Sequence, residues 1–454
     1  MPTDARRAAV NALLRVHRDG GYSHIVWEEA LDAGCLSAED RSLASRLFYG
    51  VIERRLTLDY LIGSRSKTPL HRLHPAVREI LRVGAYQLLY MDRIPSSAAV
   101  NEAVKLTRSM KQGHASGFVN AVLRGIGREG RAQLEQLPPG AEGDEIRYSC
   151  PRELIEFWRG AYGKATAAEL AAHLNDQPDA CIRVNILQTD LTRFCALLTE
   201  QGIAFTEEPG LPGCLRVEEP RRLREREAIP PGSYYPQDAA SQWCCAALSP
   251  RQGERVADVC AAPGGKVLTC AQWMENSGAL LAGDLYEQKC DIIRRRAAEY
   301  GVSILETGCR DASAPCPPEW EGAFDRVLCD GPCSGLGVIR RKPEIRYKPL
   351  DTLTELPPLQ YRILSEAAKM VRPGGVLQYS TCTLNPAENE EIAVRFLAEH
   401  TQFSPRPLTG EGRSDFRRLF ASADQEPSHQ LTLMPHLHDC DGFYIASFVR
   451  REGR

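Results

Sequence analysis

Apolar residues recur at helical spacing along the first 130 or so positions. Ala8, Leu13, Leu14 and Val16 form one stripe. Leu43, Leu47 and Val51 form another, behind Ser37-Ala38-Glu39-Asp40, whose serine is placed to cap a helix start. Val77, Ile80, Leu81, Gly84, Ala85 and Leu88 make a third face. Val100, Val104 and Leu106 follow Pro95-Ser96-Ser97, and residues 118–126 make a further helix. No alternating stretch interrupts this pattern, which predicts an all-α bundle. Leu137-Pro138-Pro139-Gly140-Ala141-Glu142-Gly143 has the composition of a linker. Beyond it the rhythm is mixed, with helices expected over 154–162, 165–174 and 191–201 and strands over 181–185, 204–206 and 214–217. This is a small α+β unit of RRM-like flavour without the aromatic stacking signature of that fold. From Tyr235 strands and helices alternate, as in a parallel sheet covered by helices on both faces. The expected domains are 1–135 (helical), 144–234 (small α+β) and 235–454 (Rossmann-like α/β).

In the last of these, the chemistry gathers at the carboxyl ends of the strands, where open α/β sheets carry their sites. The strand 256–259 runs into Cys260-Ala261-Ala262-Pro263-Gly264-Gly265-Lys266, a glycine turn followed by a helix opening at Gly265 or Lys266. This loop is neither G-x-G-x-x-G nor a Walker A sequence, so NAD and ATP are poor fits. A second strand ends at Asp284, where a ribose hydroxyl could be held. A third ends in Asp330-Gly331-Pro332-Cys333, and a fourth in Ser380-Thr381-Cys382-Thr383. Two cysteines in polar turns beside an aspartate suggest thiolate chemistry. Most other cysteines, Cys270, Cys290 and Cys329 among them, read as small core residues.

Composition narrows the class. The chain has 454 residues, 43% hydrophobic and 25% charged, with a formal net charge of -3, so any nucleic-acid surface is a local patch. No apolar run is long enough to span a membrane, and the N-terminus is amphipathic rather than signal-like. The 16 cysteines lack regular spacing, as expected of free thiols in a reducing cytoplasm. No CxxC pair exists, and His436-x-His438-x-Cys440 lacks a fourth ligand, so no metal is expected.

Taken together, Cys260–Lys266, Asp330-Gly-Pro-Cys333-Ser-Gly and Ser380-Thr-Cys382-Thr resemble the motifs of the RNA cytosine-5 methyltransferases. Arg340-Arg341-Lys342-Pro343 and Asn385-Pro386-Ala387-Glu388-Asn389-Glu390 fit the same family. The N-terminal part resembles the antitermination factor NusB, and the combination is similar to the RsmB type of bacterial small-subunit rRNA enzyme. The resemblance implies S-adenosylmethionine as cofactor, 16S rRNA as substrate and partner, and a monomer that binds neither DNA nor membrane. It implies that Cys382 adds to C6 of cytosine, that Cys333 assists loss of the C5 proton, and that Asp330 holds the N3 edge of the base. Cys260, Ala261, Ala262, Pro263, Gly264, Gly265 and Lys266 would cradle the methionine end, Asp284 the ribose and Asp311 the adenine side, with Asp330 also lining the pocket. Bare chemistry leaves either cysteine as the attacker. Tyr286 stands where the family often has a second acid. Arg340, Arg341, Lys342, Arg346 and Lys348 are expected to hold the RNA backbone. A tRNA-directed relative and a non-catalytic RNA-binding protein of antitermination type are the competing readings.

Overall fold

The computed structural model describes residues 4–19, 23–32, 36–225, 228–420 and 427–452. By contact the chain forms two compact units, residues 1–176 with 339–350, and residues 177–338 with 351–454. By contact, residues 144–176 group with the helical N-terminal part.

The first unit is helical, with α1 (Ala5–Asp19), α2 (Ser23–Asp32), α3 (Ala38–Glu53), α4 (Arg55–Gly63), α5 (Pro75–Tyr90), α6 (Ser96–Ser109), α7 (Ser116–Glu135), α8 (Ala141–Tyr148), α9 (Arg152–Tyr162) and α10 (Lys164–His173). The Ser37 side chain accepts from the Asp40 N–H at 3.1 Å, as the capping pattern predicts. The apolar stripes meet in one core that includes Leu13, Leu47, Phe48, Leu61, Leu81 and Leu123. Part of the predicted linker is helical, since α8 begins at Ala141.

Residues 339–350 are built into this unit although 162 residues of sequence separate them from its nearest other part (339 minus 177). Pro343, Ile345 and Arg346 are buried there. The Arg346 guanidinium donates to Glu53 O at 3.0 Å, Ser149 O at 3.3 Å, Asn175 Oδ1 at 3.0 Å and Leu174 O at 3.1 Å. The Tyr347 hydroxyl donates to Ile52 O at 2.8 Å, and the Arg55 guanidinium lies 3.5 Å from the centre of its ring. Arg346 therefore cannot hold an RNA backbone as expected, because it is buried and its two terminal nitrogens donate to oxygens inside the unit. Arg341, Lys342 and Lys348 are exposed. Arg346→Ala should cost this unit about 3 kcal/mol, the scale of several buried acceptors left without a donor, read from its denaturant midpoint.

The second unit contains β1 (Ala180–Val184), α11 (Leu191–Glu200), β2 (Phe205–Glu207), β3 (Cys214–Val217), α12 (Pro220–Glu225) and β4 (Tyr234–Pro236). These form an antiparallel sheet of order β2-β3-β1-β4. Its core joins Ile182, Val184, Phe194, Leu198 and Leu215. The chain continues through α13 (Ala239–Leu248), β5 (Arg255–Asp258), α14 (Gly265–Trp273), β6 (Ala279–Asp284), α15 (Glu287–Glu299), β7 (Leu305–Cys309), β8 (Phe324–Asp330), α16 (Leu356–Met370), β9 (Val371–Thr381), α17 (Glu390–Glu399), β10 (Phe403–Pro405), β11 (Gln430–Leu433) and β12 (Phe443–Arg450). The large sheet has the order β10-β12-β9-β8-β5-β6-β7, with β11 also paired to β12. Strands β5 to β9 run parallel, and β12 closes antiparallel on β9. The order reverses between β5 and its neighbours β6 and β8. That is the switch point at which such sheets open a crevice beyond their carboxyl ends. Among the described residues no helix is long and apolar enough to cross a membrane.

Candidate active site

The crevice at the switch point is walled by the turns that follow β5, β6, β8 and β9. After β5, the chain turns at Gly264, whose φ of 98° is costly for a residue with a Cβ, and α14 starts at Gly265. Gly264 N–H donates to Ala261 O at 2.7 Å, and Ala261 N–H to Gly283 O at 2.8 Å, which ties this loop to the end of β6. The first N–H groups of α14 lack intrahelical partners, as at any helix start.

Asp330 ends β8 with both carboxylate oxygens engaged. Lys266 Nζ donates to Oδ2 at 2.6 Å, and Ser380 Oγ donates to Oδ1 at 2.7 Å. Burial opposes the charge on Lys266, but Asp330 outweighs it and holds the ammonium above its ordinary range. The Phe443 ring, with its centre 5.2 Å from Nζ, backs the ammonium. Lys266, in the loop expected to cradle the methionine end, also rests its ammonium on Asp330, a contact 64 residues away that sequence does not signal.

The two sequence-predicted cysteines meet. Cys333 Sγ and Cys382 Sγ lie 3.3 Å apart, both half-buried. The contact with Cys382 and then burial push the Cys333 thiol well above its usual value. Backbone bonds sew the two loops together. Gly331 N–H donates to Ser380 O at 3.2 Å, and Gly337 N–H to Cys382 O at 3.1 Å. A Cβ at Gly337 would lie 1.9 Å from Gly442 O, so only glycine permits this approach.

The remaining predicted residues line the far side. Asp284 is buried, with Lys289 Nζ 3.3 Å from its Oδ1. Leu285 and Tyr286 next to it are 52% and 58% exposed, large apolar surfaces at the rim of a polar site. Asp311 lies just past β7, where Arg310 N–H donates to Asp284 O at 2.9 Å. The Ser313 hydroxyl and N–H donate to its Oδ1 and lower its carboxyl. A cavity lined by Asp258, Val259, Gly283, Gly308, Arg310 and Ala312 runs across the ends of β5, β6 and β7.

Asp258 was not singled out from sequence, although it ends β5 as Asp284 and Asp330 end their strands. Burial, then the Asp330 charge, push its carboxyl up to about 7. An acid raised above its ordinary value near 4 contributes no penalty at lower pH, where folded and unfolded chains both hold the proton. The penalty grows between about pH 4 and 7 and persists above. Asp258→Asn should therefore raise the unfolding free energy by up to about 4 kcal/mol at pH 8 and change it little at pH 4, measured by denaturant titration at both values.

Residues 245–449 match the family described as 16S rRNA methyltransferase RsmB/F, residues 3–128 the NusB family, and residues 150–224 the RsmF/B-like ferredoxin-like domain. A probable ribosomal RNA small subunit methyltransferase B of Synechocystis sp. is 35% identical over 98% of this chain and 99% of its own length. The chain belongs to the RsmB/F family of 16S rRNA methyltransferases. A Bacillus subtilis protein with the same probable name is 32% identical over 99% of both chains. The crystal structure of PH0851 superposes with a TM-score of 0.79 at 25% identity and covers 99% of both chains. A methyltransferase homologue from Pyrococcus horikoshii gives 0.59 at 27% identity, covering 69% of this chain and 100% of that one.

RsmB/F membership makes S-adenosylmethionine the methyl donor. The site's polar groups suit that cofactor: Asp258, Asp284 and Asp330 end the three strands around the crevice, and burial followed by these carboxylates pushes the Cys260 thiol up. The glycine turn leaves room for backbone approach, and Leu285 and Tyr286 offer apolar surface for a base.

Proposed function

We propose that this chain methylates C5 of a cytosine in small-subunit rRNA, with Cys382 as the nucleophile. The observation that carries the reading is the pair of thiols 3.3 Å apart beside Asp330 at the ends of β8 and β9. C5 of cytosine is a poor nucleophile. A sulfur added at C6 pushes electron density to C5, and this is covalent catalysis. S-adenosylmethionine supplies an electrophilic methyl group. Cys382, its proton lost to solvent, bonds to C6 as a thiolate, and the π electrons of C5=C6 are released to C5. After methylation Cys333, its own proton first lost to solvent, takes the C5 proton as a thiolate. The electron pair left behind restores C5=C6 and expels Cys382 as thiolate.

The Thr381-Cys382 motif that accompanies Pro332-Cys333, as in the RNA cytosine-5 enzymes this chain resembles, supports Cys382 as the attacker. Once Cys382 is bonded to C6, the largest influence holding the proton on Cys333 is gone, and the thiol is freed for proton transfer. Lys266 fixes Asp330 toward the place where the base edge would sit, and donors and acceptors held in advance stabilise developing charge without reorganising. By the same reading, residues 260–266, Asp284 and Asp311 hold the cofactor. The target base must leave any stack to reach the thiols, at a cost of a few kcal/mol unless it is already unpaired.

Transfer of labelled methyl from S-adenosylmethionine to small-subunit rRNA and to tRNA, followed by digestion to nucleosides, tests the reading. Label in 5-methylcytidine from the rRNA is expected. Label in another nucleoside overturns the chemistry, label only in tRNA overturns the substrate, and no label in either favours a non-catalytic RNA-binding protein.

A further inference from the structure

Glu388 lies in the sequence just before α17, where it reads as an ordinary acid near a helix start. It is instead fully buried, with 0% exposure. Its carboxylate receives four donors. Oε1 accepts from Ser334 Oγ at 2.5 Å and Asn385 Nδ2 at 2.8 Å. Oε2 accepts from Ser334 N–H at 2.9 Å and Gln360 Nε2 at 2.9 Å. The same Gln360 amide donates to Pro332 O at 2.8 Å. Around this knot, Ser334 Oγ lies 2.6 Å from Thr383 Oγ1, and the Tyr379 hydroxyl donates to Glu388 O at 2.6 Å.

These partners have a common location. Pro332 and Ser334 flank Cys333, while Thr383 and Asn385 follow Cys382. An anion buried without a cation partner among these contacts is costly, and it is held here by neutral donors from both cysteine loops. No apolar side chain could bind both loops at once.

We propose that Glu388 is the positioning residue that sets the separation and relative orientation of Cys333 and Cys382. The inference rests on the reading that both thiols act on the base. Glu388 touches neither sulfur through any of these bonds and acts through Ser334 and Asn385. Its negative charge also reaches Cys333, where it adds to the groups that keep the proton in place.

The test uses the full-length protein with E388Q, which keeps the shape but turns one accepting oxygen into a donor that faces donors. Two readouts are taken. The first is steady-state methyl transfer, where kcat should fall about 100-fold, the scale of an ångström-sized misplacement, while the RNA KM stays within about threefold. The second is iodoacetamide alkylation of Cys333 across pH, resolved by peptide mass. Its midpoint should move to lower pH, because a charge that favours the protonated thiol has been removed. Alkylation needs no RNA, so it judges Glu388 even if the methyl-transfer reading fails. An unchanged kcat, or an RNA KM that rises in step with a falling kcat/KM, overturns the positioning role, and so does an unmoved alkylation midpoint. Should E388Q not fold, Ser334→Ala removes the hydroxyl that donates to Oε1 while leaving the carboxylate and the Ser334 N–H. A kcat equal to that of the unaltered protein in S334A would then overturn the proposal.

Discussion

Cys333→Ala protein mixed with S-adenosylmethionine and its RNA should end as a covalent protein–RNA complex that survives denaturant. Cys382 still forms its bond to C6, and the methyl group is still transferred. Elimination then lacks the group that takes the C5 proton, so the sulfur–carbon bond persists. The complex should migrate slowly in a denaturing gel and carry label from the methyl donor. Cys382→Ala should give no complex and no turnover, and the double substitution should match it, because both lack the attacking sulfur. The 3.3 Å contact makes the experiment discriminating, since either sulfur could reach the same base. A complex in Cys382→Ala and none in Cys333→Ala would reverse the two roles.

The second large effect is expected at the ion pair beneath those sulfurs. Lys266→Met removes the ammonium from Asp330 Oδ2 and leaves Ser380 Oγ as the remaining partner named above. Breaking a buried pair by deleting one member strands the other charge, a loss of about 3–5 kcal/mol. Asp330 can escape that cost only by taking a proton or moving, and either outcome spoils a group set in advance for the base. The single-turnover rate of methyl transfer should fall at least about 100-fold. Circular dichroism should show the fold retained, because the surrounding sheet does not depend on this contact. A rate within a few-fold of the unaltered protein would remove Lys266 from the chemistry.

Much of the site was legible because its parts are local. The strand, glycine turn and helix around Gly264 are read from neighbours in sequence, and so are the carboxyl-terminal Asp284, Asp330 and Cys382. What escaped is non-local or depends on burial. The pairing of Lys266 with Asp330 and the capture of Ser334 by Glu388 join residues far apart in the chain, and no spacing rule announces them. β4 and β10 are three residues long and too short to show a period. Arg372-Pro373-Gly374-Gly375 reads as a helix stop, and α16 does end at Met370. The sequence does not show that the strand β9 already begins at Val371, with Gly375 passing Asp325 O where a Cβ would meet it at 2.8 Å. Arg346 was read by its charge alone. Its flanking Pro343, Ile345 and Tyr347 are a hint of burial that the run of cations concealed.

Residues 339–350 bear on how such a protein could change over evolutionary time. A domain gained or lost as a cassette needs two cut sites, but the first unit is assembled from two pieces of chain, which cross between units at 176/177, 338/339 and 350/351. A lineage that shed the N-terminal helices in one deletion would keep the Arg346 guanidinium with no Glu53, Ser149, Leu174 or Asn175 oxygen to receive it. Loss of the helices therefore has to be accompanied by rewriting a dozen residues more than two hundred positions downstream of α7, so the two stretches are inherited as one trait.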